Sequence, residues 1–151
     1  MNLDPIVKTL NLPCAAAHAF DVFVARIATW WPLDGHVASA KFGKPALAVT
    51  IEPRVGGAVY ETMYDGSRDE WGEVLEYEAG RKIAFTWHPG NNAENPTRVE
   101  VVFEDVAQGQ SRLTLTHSGW EVWATAADER RGGYEKGWDF VLGTHFLPAC
   151  G

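Results

Sequence analysis

Between Ala46 and Ser118 the chain passes through six strand-length segments with no helical period between them. They run Ala46–Glu52, Ala58–Tyr64, Glu70–Tyr77, Arg81–His88, Arg98–Val106 and Ser111–Ser118, divided by Pro53 to Gly57, Asp65-Gly66-Ser67, Ala79-Gly80, the stretch from Pro89 to Pro96, and Gln108-Gly109. A parallel pair needs a crossover of about a dozen residues or more, normally helical, and these connections leave no room for one. The segments therefore predict an antiparallel meander.

Such a sheet has to bury one face, and the flanking segments offer the cover. Ile6 to Leu12 alternates like a strand and stops at Pro13, a residue suited to opening a helix. From Ala15 to Ile27 the apolar residues Phe20, Phe23, Val24 and Ile27 recur at helical spacing. After the meander the period changes again. Thr125-Ala-Ala-Asp128 resembles a capping box, and a stripe runs through Tyr134, Trp138, Val141, Leu142 and His145. The expected fold is α+β: a curved antiparallel sheet wrapped around a long C-terminal helix, with a short N-terminal helix, in one domain spanning residues 1–151. A twisted sheet does not mate flush with a straight helix, so an apolar cavity is expected between them.

Reflecting each hairpin through its turn predicts which side chains face that cavity. Centring the last hairpin on Gln108 pairs Val99 with His117, Val101 with Leu115 and Phe103 with Leu113. Centring the longer connection on Ala93 pairs Trp87 with Val99, Phe85 with Val101 and Ile83 with Phe103. Both reflections select one face, because side chains alternate along a strand. The earlier hairpin stays open. A two-residue Ala79-Gly80 turn sets Val74 against Phe85, whereas a bulged turn presents Trp71 and Glu73 inward. The candidate ligand contacts are thus Tyr60, Trp71, Glu73, Phe85, Trp87, Val99, Val101, Leu115, His117, Trp138 and Leu142.

Composition narrows the function. A net charge of −7 repels phosphate backbones and anionic lipid surfaces, which argues against nucleic-acid and membrane partners. No apolar run reaches the roughly 20 residues of a membrane span. Met1-Asn2-Leu3-Asp4-Pro5 has no basic or apolar character of a secretory leader, so the expected compartment is the cytoplasm. There Cys14 and Cys150 are expected as free thiols. The five histidines are scattered, with no H-x-x-x-H or C-x-x-C pair, so no metal and no cofactor is expected. There is no G-x-S-x-G elbow and no Walker-type loop. Seven Trp and seven Phe, by contrast, supply the rigid apolar walls of a small-molecule site.

Several blocks resemble a known family. Ile6 to Pro13 with Trp30-Trp31-Pro32, then Gly72-Glu73-Val74-Leu75-Glu76 leading to Phe85-Thr86-Trp87, then Arg112 to Gly119, and finally Gly137-Trp138 with Val141-Leu142 match START-like, or SRPBCC, domains in order and spacing. They resemble in particular the branch related to the C-terminal domain of activators of the ninety-kilodalton heat-shock chaperone's ATPase. The resemblance implies a helix-grip fold. Relatives include carriers of lipids and pigments, polyketide cyclases and aromatases, and chaperone co-factors, so it does not fix an activity. The expected function is binding of a small hydrophobic or aromatic molecule, without catalysis. The alternatives are an enzyme of cyclase or aromatase type with His117 or Glu73 as acid or base, and an interaction module whose partner is a chaperone.

Overall fold

The computed structural model describes residues 3–88 and 96–150. Its strands are β1 (Ile6–Leu12), β2 (Ala48–Ile51), β3 (Ala58–Thr62), β4 (Arg68–Glu78), β5 (Lys82–Trp87), β6 (Thr97–Ala107) and β7 (Gln110–Ser118). They form one antiparallel sheet in the order β1-β7-β6-β5-β4-β3-β2. The meander is as expected, and β1 closes its far edge by pairing with β7. The loop expected from Pro89 to Pro96 lies outside the described residues except for Pro96.

The last hairpin keeps the register its tight turn dictates, with Val99 opposite His117 and Phe103 opposite Leu113. Across β5 and β6 the pairing is Phe85 with Val99 and Ile83 with Val101, so the expected register is displaced by two residues. An even displacement leaves every side chain on its expected face, which is why the core survives it. The outer face carries a ladder of charges. Lys82 bridges Glu76 at 3.1 Å and Glu100 at 3.4 Å, and Arg98 reaches both carboxylates.

β4 resolves the open hairpin with two bulges. Its register shifts once against β3, between Val59 and Tyr60, and once against β5, between Val74 and Glu76. Val74 therefore faces Phe85 while Trp71 also points inward, both fully buried. The strand crosses over at Gly72, where a Cβ would lie 1.7 Å from the Thr86 carbonyl oxygen. No other residue type fits there. Bulges bend a strand and increase its twist, and these two help curl the sheet around its cover.

The N-terminal helix is shorter than its apolar stripe suggested. α1 (Ala16–Ala25) breaks at Arg26 before a single turn, α2 (Ile27–Trp30). No neighbouring side chain caps α1, and instead Asp105 from β6 accepts a hydrogen bond from the Ala16 N–H at 2.8 Å. The C-terminal helix begins as α3 (Ala127–Asp139), with Ala126 as a cap residue that makes no side-chain bond. The side chains of the expected capping box, Thr125 and Asp128, lie outside those described. From Phe140 to Phe146 the helix widens to π geometry before closing as α4 (Leu147–Cys150).

The π segment changes which residues are buried. The α-helical stripe predicted His145 on the inner face, but π spacing carries i+5 rather than i+4 under the same position. Val141 and Phe146 are buried and His145 stands half out of the core. Phe146 meets Phe23 of α1 at 5.3 Å and Phe103 of β6 at 6.4 Å between ring centroids. The centre of the sheet–helix interface is therefore filled with aromatic rings.

Candidate functional site

Space remains at one end. Three segments without a common period converge there: the stretch after α2, the end of β5 and the middle of the C-terminal helix. Together they enclose a cavity of ≈260 Å³. Trp31, Val37, Ala38 and Trp87 form one side, and Tyr134, Gly137, Trp138 and Val141 form the other. His36 and Lys41, both exposed, complete the lining and mark the side that meets solvent.

The indoles set the wall. Trp31 lies 5.9 Å from Trp87 and 6.1 Å from Trp138, and Trp87 lies 5.5 Å from Trp138, ring centroid to centroid. Two of the three indole N–H groups are committed. Trp31 Nε1 donates to the His36 carbonyl at 3.1 Å and Trp138 Nε1 donates to His117 at 3.0 Å. The Trp87 N–H is buried without a properly aligned acceptor. The Tyr134 phenol stands beside it, with a pKa raised by burial and partly restored by Trp87 and Arg130.

The loop facing the helix is held by a carboxylate. Glu61 on β3 is fully buried, and its two oxygens accept the N–H groups of Ala38 at 2.6 Å and Ser39 at 2.9 Å. These amides open the 3-10 turn Ala38–Phe42, whose first N–H groups have no partner within the turn. Further along, the Ser39 hydroxyl accepts the Tyr64 N–H at 3.1 Å. The wall is thus fixed from beneath by hydrogen bonds rather than by its own secondary structure. His36 takes a left-handed backbone, φ 54°, and stacks its ring 5.3 Å from Phe140. Burial and the facing His145 lower its pKa, and Asp34 opposes them.

His117 is enclosed on every side. Trp138 Nε1 donates to its Nδ1, so Nδ1 is the unprotonated nitrogen. Nε2 then carries the proton and lies 2.7 Å from the Thr97 hydroxyl, which in turn donates to the Trp87 carbonyl at 3.0 Å. This chain fixes one neutral tautomer. Burial drives the pKa of His117 down to about 3. A histidine with both nitrogens bonded and no exposed surface ties helix to sheet, and it cannot exchange protons with a ligand while so held.

Of the candidate contacts, Trp87 and Trp138 line the cavity. Trp71 packs behind that wall, 5.3 Å from both Trp31 and Trp87. Phe85, Val99, Val101, Leu115 and Leu142 are buried in the packed core and do not line the cavity. The β3–β4 register places two candidates away from the cavity. Glu73 is exposed, with its backbone N–H bonded to the Thr86 hydroxyl at 2.8 Å, because the bulges turn it away from Trp71. Tyr60 lies on the face opposite the buried Val59 and Glu61, beneath the Arg68 guanidinium at 3.6 Å. Of the remaining lining residues, Tyr134 and Val141 stand on the helical stripe visible in the sequence and Gly137 lies between them, whereas Trp31, His36, Val37, Ala38 and Lys41 fall in an aperiodic stretch and were missed. The Trp30-Trp31-Pro32 run was their one visible signal. Among the described residues no group of three or more His, Cys, Asp or Glu is placed to hold a metal ion. Nor is any helix among them long and apolar enough to cross a membrane.

The shape has many counterparts in solved structures. The protein from Micromonospora echinospora described as the self-sacrificing resistance protein CalC is 20% identical, with TM-score 0.72 and 98% of this chain and 94% of that chain covered. An HSP90 activator from Plasmodium falciparum is 19% identical, with TM-score 0.55 and 77% and 73% of the two chains covered. These two likenesses speak for the fold. The anthrahydroquino-γ-pyrone synthase Txn09, solved in a complex, is 27% identical, with TM-score 0.59 and 83% of each chain covered. No curated protein matches the sequence. The family model described as Activator of Hsp90 ATPase homolog 1-like protein matches residues 20–146, which takes in the later part of α1, then β2 to β7 and the C-terminal helix through its π segment. With most of its length matched and its helix-grip architecture in agreement, the chain belongs to the Activator of Hsp90 ATPase homolog 1-like family.

Proposed function

We propose that this protein binds a small aromatic or hydrophobic molecule in the cavity between the C-terminal helix and the Trp31–Lys41 stretch, as a single domain working in the cytoplasm. The observation that carries the reading is the wall itself. Three indoles, Val37, Ala38 and Val141 offer apolar surface, and the polar tips are confined to Tyr134, His36 and Lys41. That division, mostly apolar with a few polar groups, is the pattern of small-molecule sites, whose volumes start near 300 Å³. At ≈260 Å³ the space suits a compact ring system. The two free cysteines accord with a reducing compartment.

Titration of the intrinsic Trp fluorescence with naphthalene-sized aromatics tests this. Saturable quenching is expected for the wild type. Gly137→Leu, which pushes a side chain toward His36 and the cavity, should abolish it while the far-ultraviolet circular dichroism stays native. Quenching that survives Gly137→Leu unchanged would place the ligand elsewhere.

Chemistry on the bound molecule is the second reading, favoured by the likeness to a synthase and by three titratable groups on the wall. It requires that Tyr134→Phe or His36→Ala stop turnover while binding persists. A chaperone as protein partner is a third. The exposed Phe42 and Leu47, outside the cavity, are the surface it would use, and a double Phe42→Ser, Leu47→Ser variant should then lose the partner and keep the small molecule.

A further inference from the structure

Cys14 and Cys150 stand 136 positions apart in sequence, one ahead of α1 and the other closing α4. The fold brings these ends together. α4 packs on α1, Cys150 is buried in the core cluster, and Cys14 packs against that cluster while keeping part of its surface. With the end of α4 carried to the start of α1, each thiol is the other's neighbour. Two cysteines with no partner but each other, one reachable from solvent and one beneath it, form the arrangement that dithiol oxidation needs.

We propose that Cys14 and Cys150 are a site of reversible oxidation, at which a hydroperoxide forms a disulfide tying the start of α1 to the end of the C-terminal helix. The roles follow from the surroundings. Cys150 is the more deeply buried and its thiol is pushed up to about 12 by burial, with the charge of Cys14 adding to the effect. Burial raises Cys14 as well, and the neighbouring Cys150 opposes it. Cys14 keeps part of its surface exposed, so it is the thiol that a peroxide in solution reaches first. Its thiolate attacks the peroxide, breaking the O–O bond, releasing water or an alcohol and leaving a sulfenic acid. The Cys150 sulfur then attacks Cys14 Sγ, displacing the hydroxyl as water and losing its own proton. One hydroperoxide is reduced by two electrons, and two thiols become one disulfide.

The bond would close a loop of nearly the whole chain, where constraint of the unfolded state is greatest. It would also pin the helix that carries Tyr134, Trp138 and Val141 to the cavity. The site does not depend on that cavity having a ligand.

The test is the full chain, reduced and then exposed to hydrogen peroxide. The monomer should lose the mass of two hydrogens, proteolysis should yield one peptide pair joining Cys14 to Cys150, and dithiothreitol should reverse both. The thermal midpoint should rise by about 10 °C in the oxidised form. Cys150→Ser should instead accumulate a sulfenic acid at Cys14 that dimedone traps, with no rise in midpoint. An unchanged mass overturns the proposal, as does dimedone trapping in the wild type without loss of two hydrogens. Disulfides found only between molecules, or a cross-link that leaves the midpoint where it was, overturn it equally.

Discussion

At the middle of the C-terminal helix, Trp138, His117, Thr97 and the Trp87 carbonyl form an unbroken line of donors and acceptors with no exposed surface on His117. Less than a turn away, the same Trp138 shows part of its ring to a cavity of ≈260 Å³. Both regions are rich in aromatic rings, so composition does not distinguish them. The difference lies in what faces the helix. The first region is opposed by β6 and β7, whose pleat delivers a side chain at every second position. The second is opposed by a 3-10 turn held off the helix by Glu61. Regular opposition seals, and irregular opposition leaves room.

The comparison is broken most severely by removing the seal. His117→Ala strands the Trp138 N–H, takes from the Thr97 oxygen its donor and leaves a hole the size of an imidazole, so urea unfolding should show a loss of about 3–5 kcal/mol. If the loss is under 1 kcal/mol, the network is ornamental and the two regions are alike.

Acid sharpens the same point. His117 binds a proton near pH 6.5 when unfolded but only near pH 3 when folded. Between those values the unfolded chain holds more protons, so stability is full above the upper value and falls as pH drops toward the lower one. The slope is about 1.4 kcal/mol per pH unit within that window. His117→Gln should remove this component of the slope, and a slope unchanged in that variant would contradict the assignment.

The open region should respond differently. Glu61→Gln replaces one acceptor by a donor facing a backbone N–H, with an expected cost of about 2 kcal/mol. Its effect should also extend to ligand affinity, because the Ala38 wall loosens; an unaltered affinity would mean the loop holds its shape without the carboxylate. Gly137→Ala gives the smallest change. The added Cβ meets His36 Cε1 at 3.7 Å, an ordinary contact, so the helix should gain about 0.5–1 kcal/mol while the cavity shrinks and binding weakens. Destabilisation there would show that no space exists at that face.

The sealed region was legible in the sequence because it is periodic. Val99, Val101, Leu115 and His117 lie where strand alternation puts them, and the tight Gln108-Gly109 turn left no freedom of register. The β5–β6 register was displaced because a long connection does not define its own centre. Glu73 was undecidable for a related reason: two bulges in β4 each reverse the alternation, and only the steric demand at Gly72 reveals where. The π segment replaced His145 by Phe146 on the inner face, a one-residue change that helical spacing alone does not anticipate. The stretch from Trp31 to Lys41 has no period at all. Its conformation depends on Glu61, 22 positions beyond Ser39 in sequence.

The seven Trp residues offer one direct test of where a ligand sits. With uniformly 15N-labelled protein, the indole N–H resonances can be followed while naphthalene is added. Saturable shifts are predicted for Trp31, Trp87 and Trp138, with Trp30 and Trp120 unmoved. Shifts centred on Trp120 and Trp30, or none that saturate, would contradict a binding cavity at the open end of the helix.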